Sequence, residues 1–514
     1  MTTILLSGTS LTISDLDKIL SDPTSIIQIT TDAKHAVDMT KEFIDQQANG
    51  KIIYGINTGF GPMASHIISE HQQLELQRNL IRSHAVGVGD PIKPNYVLAA
   101  MVVRLNTLLQ GYSGVSFELV ERLQTFINHR ILPIIPEHGA VGTSGDLVQL
   151  AHIALAVIGE GEVLYNGQKR QTQDVLTELS IPLTYQLKPK EGLALINGTA
   201  VMTGIVATLC VDANQLLDHA IKNGAFSLEL VHAYDDSISE QLHALRPHAG
   251  QKEVARKIRE LLKDSNLLKS RSELHKAVKA QDDVLELPQA VQEVYSLRCI
   301  PQILGPIHET LTKTIATVEI EINAVTDNPI VDRELGEFIH GGNFHGDYIA
   351  SAIDQLKAAL VKLTMLSERR VNFFLNKNVN KFFPPFLNLK KPGLTLGLQG
   401  MQFVATSTTA QSQSLAYPHH LHSIPTNGDN QDIVSMGTDA ALLAAKVVEN
   451  AYIVVAIERI TLAQAVDFTK EIDQFSQPIQ TEYRSIREVF PAVIEDRAFS
   501  PEINNVVHLL KRRD

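Results

Sequence analysis

A chain of 514 residues with 44% hydrophobic content is long enough for two domains, each with a large buried core. The formal net charge of -12, with no run of lysine or arginine, argues against nucleic acid as a partner. The only two cysteines, Cys210 and Cys299, lie far apart in apolar surroundings, which predicts core thiols and excludes a disulfide framework.

No basic region precedes the short apolar run at the N-terminus, so no secretory signal is expected. The uncharged stretch 201–211 is too short to span a bilayer. No membrane association is expected, and the predicted compartment is the cytoplasm.

In chain order, Ser10 to Leu16 reads as a strand followed by a helix capped at Ser14. Tyr54 to Phe60, with two glycines around an Asn-Thr pair, reads as a mobile surface loop. Residues 71–86 form a predicted helix marked by Leu74, Leu76, Leu80 and Ile81. This helix delivers Ser83-His84 just before Gly87-Val88-Gly89.

Three glycines then fall within seven residues, at Gly139-Ala140-Val141-Gly142-Thr143-Ser144-Gly145, with Asp146-Leu147 following. Leu147, Leu150, Ala151 and Ala154 recur at helical spacing, so the turn feeds a helix N-terminus with its unpaired N–H groups. A phosphate cradle would need a Lys after the last glycine and a strand before the first. A hydrolase elbow needs G-x-S-x-G, whereas here Gly145 directly follows Ser144. Self-modification is a third reading. The Gly145 nitrogen is free to attack the Thr143 carbonyl. Loss of two waters, one from Ser144, would leave an electrophilic methylidene-imidazolone (MIO) ring. A plain turn ahead of a helix is the fourth, and this stretch alone does not choose.

A helix to about Gly159 is followed by a polar, strand-rich excursion at 161–188, and Glu191 to Thr199 leads into helix again. Residues 200–222 are apolar nearly all round. Ile307, Leu311, Ile315, Val318 and Ile322 mark one stripe in 304–323. Ile349, Ile353, Leu356, Leu360, Leu363 and Leu366 mark another in 347–367, and 439–468 is long and Ala-rich. Such segments predict a helical bundle with near-antiparallel neighbours. The polar stretch 262–288 is expected at the surface, and Tyr295 to Arg298 in a loop between helices. His419, His420 and His422 have neither a fourth ligand at suitable spacing nor an i, i+4 helix pair, so no metal site is predicted.

Seven dispersed blocks share one order along the chain: Tyr54-Gly55-Ile56-Asn57-Thr58-Gly59-Phe60-Gly61, Gly142-Thr143-Ser144-Gly145-Asp146-Leu147, Leu195-Ile196-Asn197-Gly198-Thr199, Tyr295-Ser296-Leu297-Arg298-Cys299, Asp327-Asn328-Pro329, Gly341-Gly342-Asn343-Phe344-His345 and Asn430-Gln431-Asp432-Ile433-Val434-Ser435-Met436-Gly437. Together they resemble the histidine, phenylalanine and tyrosine ammonia-lyases and aminomutases, from about Tyr54 to about Thr438. The pattern is most similar to bacterial tyrosine ammonia-lyases. That family usually has Ala where this chain has Thr143. Ring closure uses only the backbone carbonyl there, so the Thr side chain stays as a ring substituent.

The resemblance implies a mainly α fold: a long central helical bundle, fumarase/aspartase-like, over 197–514, and a smaller mixed N-terminal domain over 1–196 carrying the MIO loop. It implies a ring formed autocatalytically from Thr143-Ser144-Gly145, with no external cofactor. Tyr54 would be the catalytic base, Asn197 would hydrogen-bond the ring and the substrate amine, and Tyr295 would lie near that amine. Arg298 would clamp the α-carboxylate, helped by Asn328, and Phe344 would pack near the ring. Gln292, Gly61 and Gln431 complete the substrate-binding set, and Ser83 and His84 would contact the far end of the side chain. The assembly implied is a homotetramer with active sites shared between subunits.

Substrate choice rests on fewer residues. The Ser83-His84 pair resembles both histidine lyases and a bacterial group of tyrosine lyases and aminomutases. Gln411 stands where histidine lyases typically carry Glu, by alignment from Ser423-Ile424-Pro425. Asp429 to Val434 and Asp146 to Gln149 look like the tyrosine/phenylalanine branch. The expected order is therefore L-tyrosine, then L-phenylalanine, then L-histidine, with a trans-aryl acrylate (p-coumarate or cinnamate) as product. A 2,3-aminomutase would share every catalytic residue. An inactive helical scaffold is the alternative of a different class, but it would have no reason to keep Tyr54, Ser144, Asn197, Tyr295 and Arg298 together.

Overall fold

Four long helices, Ala200–Leu230, Ile300–Glu321, Asp347–Leu375 and Gly437–Thr469, form the backbone of the fold. The computed structural model describes residues 2–48, 50–272 and 291–513, so most of the polar stretch 262–288 lies outside the described residues. The predicted stripes are the buried faces. Ile307, Leu311 and Val318 are buried in one helix, with Ile315 half-buried and Ile322 buried just past the helix end, and Ile349, Ile353, Leu356, Leu360, Leu363 and Leu366 are buried in another. The apolar stretch at 201–211 extends into a 31-residue helix. This helix and Gly437–Thr469 are long and apolar enough to cross a membrane. Yet 78% and 72% of their most apolar windows are buried within the fold, as in core helices.

The chain forms two compact units, each assembled from three separated stretches. The first comprises Met1–Val211, Lys313–Asp354 and Pro418–Ala444, and the second Asp212–Thr312, Gln355–Tyr417 and Ala445–Asp514. The first unit draws sequence from both sides of residue 196, because the turn at 139–146 is closed by backbone at 198 and at 436.

The first unit also holds the small sheets. Thr3–Leu6 pairs in parallel with Ile26–Ile29, linked through the helix Ile13–Ser21. That helix is capped by Thr12, not by Ser14 as the sequence suggested. Ile13 is already helical and buried, and the Thr12 hydroxyl accepts the Asp15 N–H at 3.0 Å. Val88–Pro91 pairs with Pro136–His138. The excursion at 161–188 is the hairpin Glu162–Tyr165/Gln168–Gln171 followed by a helix, Thr172–Glu178.

The helix expected at 71–86 spans Glu70–His84, but its buried face is Gln77, Leu80 and Ile81, and Leu74 is exposed. Gln77 displaces the leucine because its amide is needed inside. It donates to the Gly55 carbonyl at 3.0 Å and accepts from the Leu193 N–H at 3.1 Å.

In the second unit, Arg370, Glu458 and Arg459 are fully buried around Asn223, with Glu482 at the edge. Burial alone would raise the Glu482 carboxyl, but Arg459 and Lys222 hold it down to about 2. Buried charges survive only when paired in this way.

Candidate active site

The glycine-rich turn is fixed by backbone contacts that leave no space for side chains. Gly145 has φ +66, and a Cβ there would lie 1.9 Å from the Gly198 oxygen. Gly142 has φ +81, and its Cβ would meet the Ser435 hydroxyl at 2.1 Å. Glycine alone tolerates both demands. The Asp146 N–H donates to the Gly198 carbonyl at 2.8 Å, the Met436 N–H to the Val141 carbonyl at 3.0 Å, and the Gly346 N–H to the Gly142 carbonyl at 3.1 Å.

Asp146 begins the helix Leu147–Val157 but does not cap it. Its carboxylate turns to another helix and accepts the Val201 and Met202 N–H groups at 2.8 and 2.9 Å. The other oxygen accepts the Thr438 hydroxyl at 2.5 Å. Complete burial pushes its pKa up to about 6, against the pull of those three donors. One carboxylate thus ties the reactive turn to the first turns of Ala200–Leu230 and Gly437–Thr469.

Tyr54 sits on a string of turns that was expected at the surface, yet Gly55, Ile56, Thr58 and Gly59 are buried there. Gln77 anchors the segment through Gly55, and the Tyr54 N–H donates to His340 Nε2 at 3.4 Å. The Tyr54 hydroxyl accepts the Gly61 N–H at 3.2 Å, and its ring meets Phe60 edge-on at 6.0 Å.

The opposite wall is braced from below. Lys190 and Asp327 form a fully buried ion pair at 2.9 Å. Burial draws the Lys190 ammonium below its usual range, while Asp327 opposes the shift. Asp327 also accepts the Asn328 N–H at 2.7 Å. Lys190 directly precedes the short helix Glu191–Ile196, which ends at Asn197. Asn197 Nδ2 then donates to the Asn328 carbonyl at 3.1 Å, while its Oδ1 is buried with no partner.

These elements enclose a cavity of about 410 Å³ lined by Tyr54, Gly61, His84, Ser144, Asn197, Asn328, Phe344 and Gln431 from the predicted set. Thr143 and Gly145 lie in the turn itself, both buried, and the Thr143 hydroxyl has no partner. Ser83 is exposed, outside the lining, and its hydroxyl touches His84 Nδ1 at 3.1 Å. His84 Nδ1 donates to the Leu80 carbonyl at 2.9 Å, which leaves Nε2 of the neutral ring as an acceptor.

Sequence reading missed Leu193, His340, Asn427 and Asn430 in the lining. His340 directly precedes the block that begins at Gly341, and Asn430 opens the block that runs to Gly437, so position beside or within a motif was the available signal for both.

Gln292, Tyr295, Arg298 and Gln411 belong to the second unit. Tyr295–Arg298 is a one-turn helix, not the expected loop, closed by the Arg298 N–H on the Val294 carbonyl. Tyr295 is 69% exposed, and the Arg298 guanidinium lies 4.6 Å over its ring. Gln292 is exposed, and Gln411 accepts from Asn450 Nδ2 at 2.9 Å. His420 pairs with Asp354 at 2.7 Å and His419 faces Asp439 at 3.6 Å. Among the described residues, no three metal-ligating side chains converge.

The turn fits an internal ring. It offers a side-chain-free nitrogen at Gly145, a buried carbonyl at Thr143, a hydroxyl at Ser144 and an unpartnered acceptor at Asn197.

The profile of the aromatic amino acid lyase family matches residues 11–488. The chain is 39% identical over 511 residues to the histidine ammonia-lyase of Geobacillus thermodenitrificans, covering 99% of this chain and 97% of that one. Its fold is similar to that of the tyrosine aminomutase from Streptomyces globisporus, with a TM-score of 0.95 and 35% identity over 99% of this chain and 97% of that one. It is also similar to histidine ammonia-lyase from Trypanosoma cruzi, with a TM-score of 0.89 and 33% identity over 99% and 93%.

Proposed function

Because the chain belongs to the aromatic amino acid lyase family, we propose that it eliminates ammonia from L-histidine, using an MIO ring closed from Thr143-Ser144-Gly145. The observation that carries the substrate is the near full-length 39% identity to a histidine ammonia-lyase. It outweighs the tyrosine-first order expected from Gln411 and the Asp429–Val434 run. His84 in the cavity wall is compatible, since an acceptor at Nε2 suits an imidazole N–H.

The ring would supply an electrophile for the substrate amine. The chain's own groups would do the rest. Tyr54 would take the β-proton as general base. The open Asn197 Oδ1 would accept from the amine. Asn328 and Arg298 would hold the carboxylate, Arg298 through its planar fork. Tyr295, Gln292 and Gln411 would join it from a neighbouring subunit of a homotetramer. A cytoplasmic location belongs to the same proposal, and the burial of both long apolar helices within the fold is compatible with it.

A second reading is favoured by the TM-score of 0.95 to a tyrosine aminomutase. It makes L-tyrosine the substrate, and p-coumarate or a β-amino acid the product. The test is incubation with L-histidine, L-tyrosine and L-phenylalanine, with products identified by mass and absorbance. Urocanate as the fastest product supports the proposal. A preference for tyrosine, or a β-amino acid product, replaces it with the second reading.

A further inference from the structure

Gln431 lines the cavity together with Ser144. Its Nε2 donates to the Ser144 hydroxyl at 2.8 Å. Its amide cannot flip freely, because the Thr426 hydroxyl donates to Oε1 at 3.1 Å. The backbones of Thr426 and Gln431 close the hairpin that carries both, with N–H to carbonyl distances of 3.0 and 3.3 Å. The donor end of the amide is therefore aimed at the side-chain oxygen of the turn, the one that must depart for a methylidene group to form.

From this geometry we infer that Gln431, latched by Thr426, assists the loss of the Ser144 hydroxyl when the ring matures. The inference rests on the ring proposed above. In the first dehydration the Gly145 nitrogen bonds to the Thr143 carbonyl carbon. The carbonyl oxygen leaves as water with the N–H protons of Ser144 and Gly145. In the second, the Ser144 Cα proton passes to solvent and its electron pair forms the Cα–Cβ double bond. The Cβ–Oγ bond breaks and Oγ leaves as hydroxide with the electrons of that bond, and a proton from solvent makes it water. Negative charge builds on Oγ in this second step alone, so a donor fixed on Oγ acts there. Gln431 is a positioning and maturation residue in this role, distinct from any contact with substrate.

The experiment is intact-mass and peptide mapping of freshly synthesised full-length protein over time. Wild type must become two waters lighter than encoded. If it does not, the ring proposal itself fails and the inference with it. Given a ring in wild type, Gln431→Leu and Gln431→Glu should lose the second water about a hundredfold more slowly, the scale of removing one preorganised donor. A species one water lighter, with the Ser144 oxygen retained, should accumulate. Thr426→Val, which leaves the packing of the hairpin nearly unchanged, should show the same species more weakly, and Thr426→Ser should restore the wild-type rate. Two-water loss at the wild-type rate in Gln431→Leu overturns the inference. The full encoded mass in all three of Gln431→Leu, Gln431→Glu and Thr426→Val also overturns it, since that outcome assigns the pair to shaping the turn.

Discussion

Lys190→Met tests whether the far wall of the cavity depends on its buried ion pair. The variant keeps the length and backbone position of the side chain but leaves the Asp327 carboxylate with no ammonium at 2.9 Å in a site with no exposure. Removing one partner of a buried pair costs about 3–5 kcal/mol. Arg104 is also buried nearby, where it feels Asp327 and donates to the Thr326 carbonyl at 2.8 Å. That second cation puts the expectation at the lower end, about 3 kcal/mol. For a large domain this lowers the thermal midpoint by about 6–12 °C. Asp327→Asn in the same chain should recover much of the loss, because the uncompensated charge goes while an oxygen remains for the Asn328 N–H. The assay is calorimetry of both single variants and the double variant at one scan rate and protein concentration. Turnover is measured in parallel, because Asn328 and Asn197 hang on this pair. A drop below about 2 °C, less than ~1 kcal/mol, or a double variant as unstable as the sum of the singles, refutes the reasoning.

Asp146 gives a pH signature. Its carboxyl titrates near 6 in the folded chain because of burial, and near ~3.9 when unfolded. The unfolded state therefore holds fewer protons between these values, and its contribution to stability falls as pH rises from about 4 to about 6, by roughly 3 kcal/mol in all. Asp146→Asn should gain on wild type in thermal midpoint across that window. A constant difference between pH 4 and 7 would count against the assignment. Co-expression of Tyr54→Phe with Arg298→Ala should return part of the activity that each variant lacks alone, as expected if subunits share sites. A demonstrated mixed oligomer with no recovery would place each site within one chain. His84→Phe should lower kcat/KM for histidine about tenfold to hundredfold, the loss of one hydrogen bond to a buried polar group, and raise that for phenylalanine. An unchanged ratio would remove His84 from the side-chain pocket.

Local chemistry was legible in the sequence where one residue type answers one demand. Gly142 and Gly145 could be read because only glycine fits a left-handed backbone pressed against a neighbour. The long helices could be read because Ile349 to Leu366 repeat on one face. Pairings across long sequence distances could not be read. Gln77 is absent from the apolar marks of its helix, yet it is buried between Gly55 and Leu193. Nothing in the local sequence tied Asp146 to the helix beginning at Ala200, whose first N–H groups it accepts. Thr426 carried no signal, because its partner is the side chain of Gln431. The expected substrate order leaned on a few positions such as Gln411, whereas near full-length similarity to a histidine ammonia-lyase supports a different order.

The carboxylate of Asp146 reaches Thr438 across 292 residues of sequence, and Ser435 closes on Gly142 across 293. On a ribosome adding about 5–20 residues each second, residues 139–146 wait roughly 15–60 s before those partners exist. During that interval the turn can reach Gly198 and then Gly346, but it lacks the Ser435 and Thr438 hydroxyls and the Met436 N–H. The full set of contacts around the turn is available only to a chain that has been synthesised past residue 438 and folded onto itself. On the ring chemistry proposed above, chains that end before residue 438 are expected to keep their encoded mass.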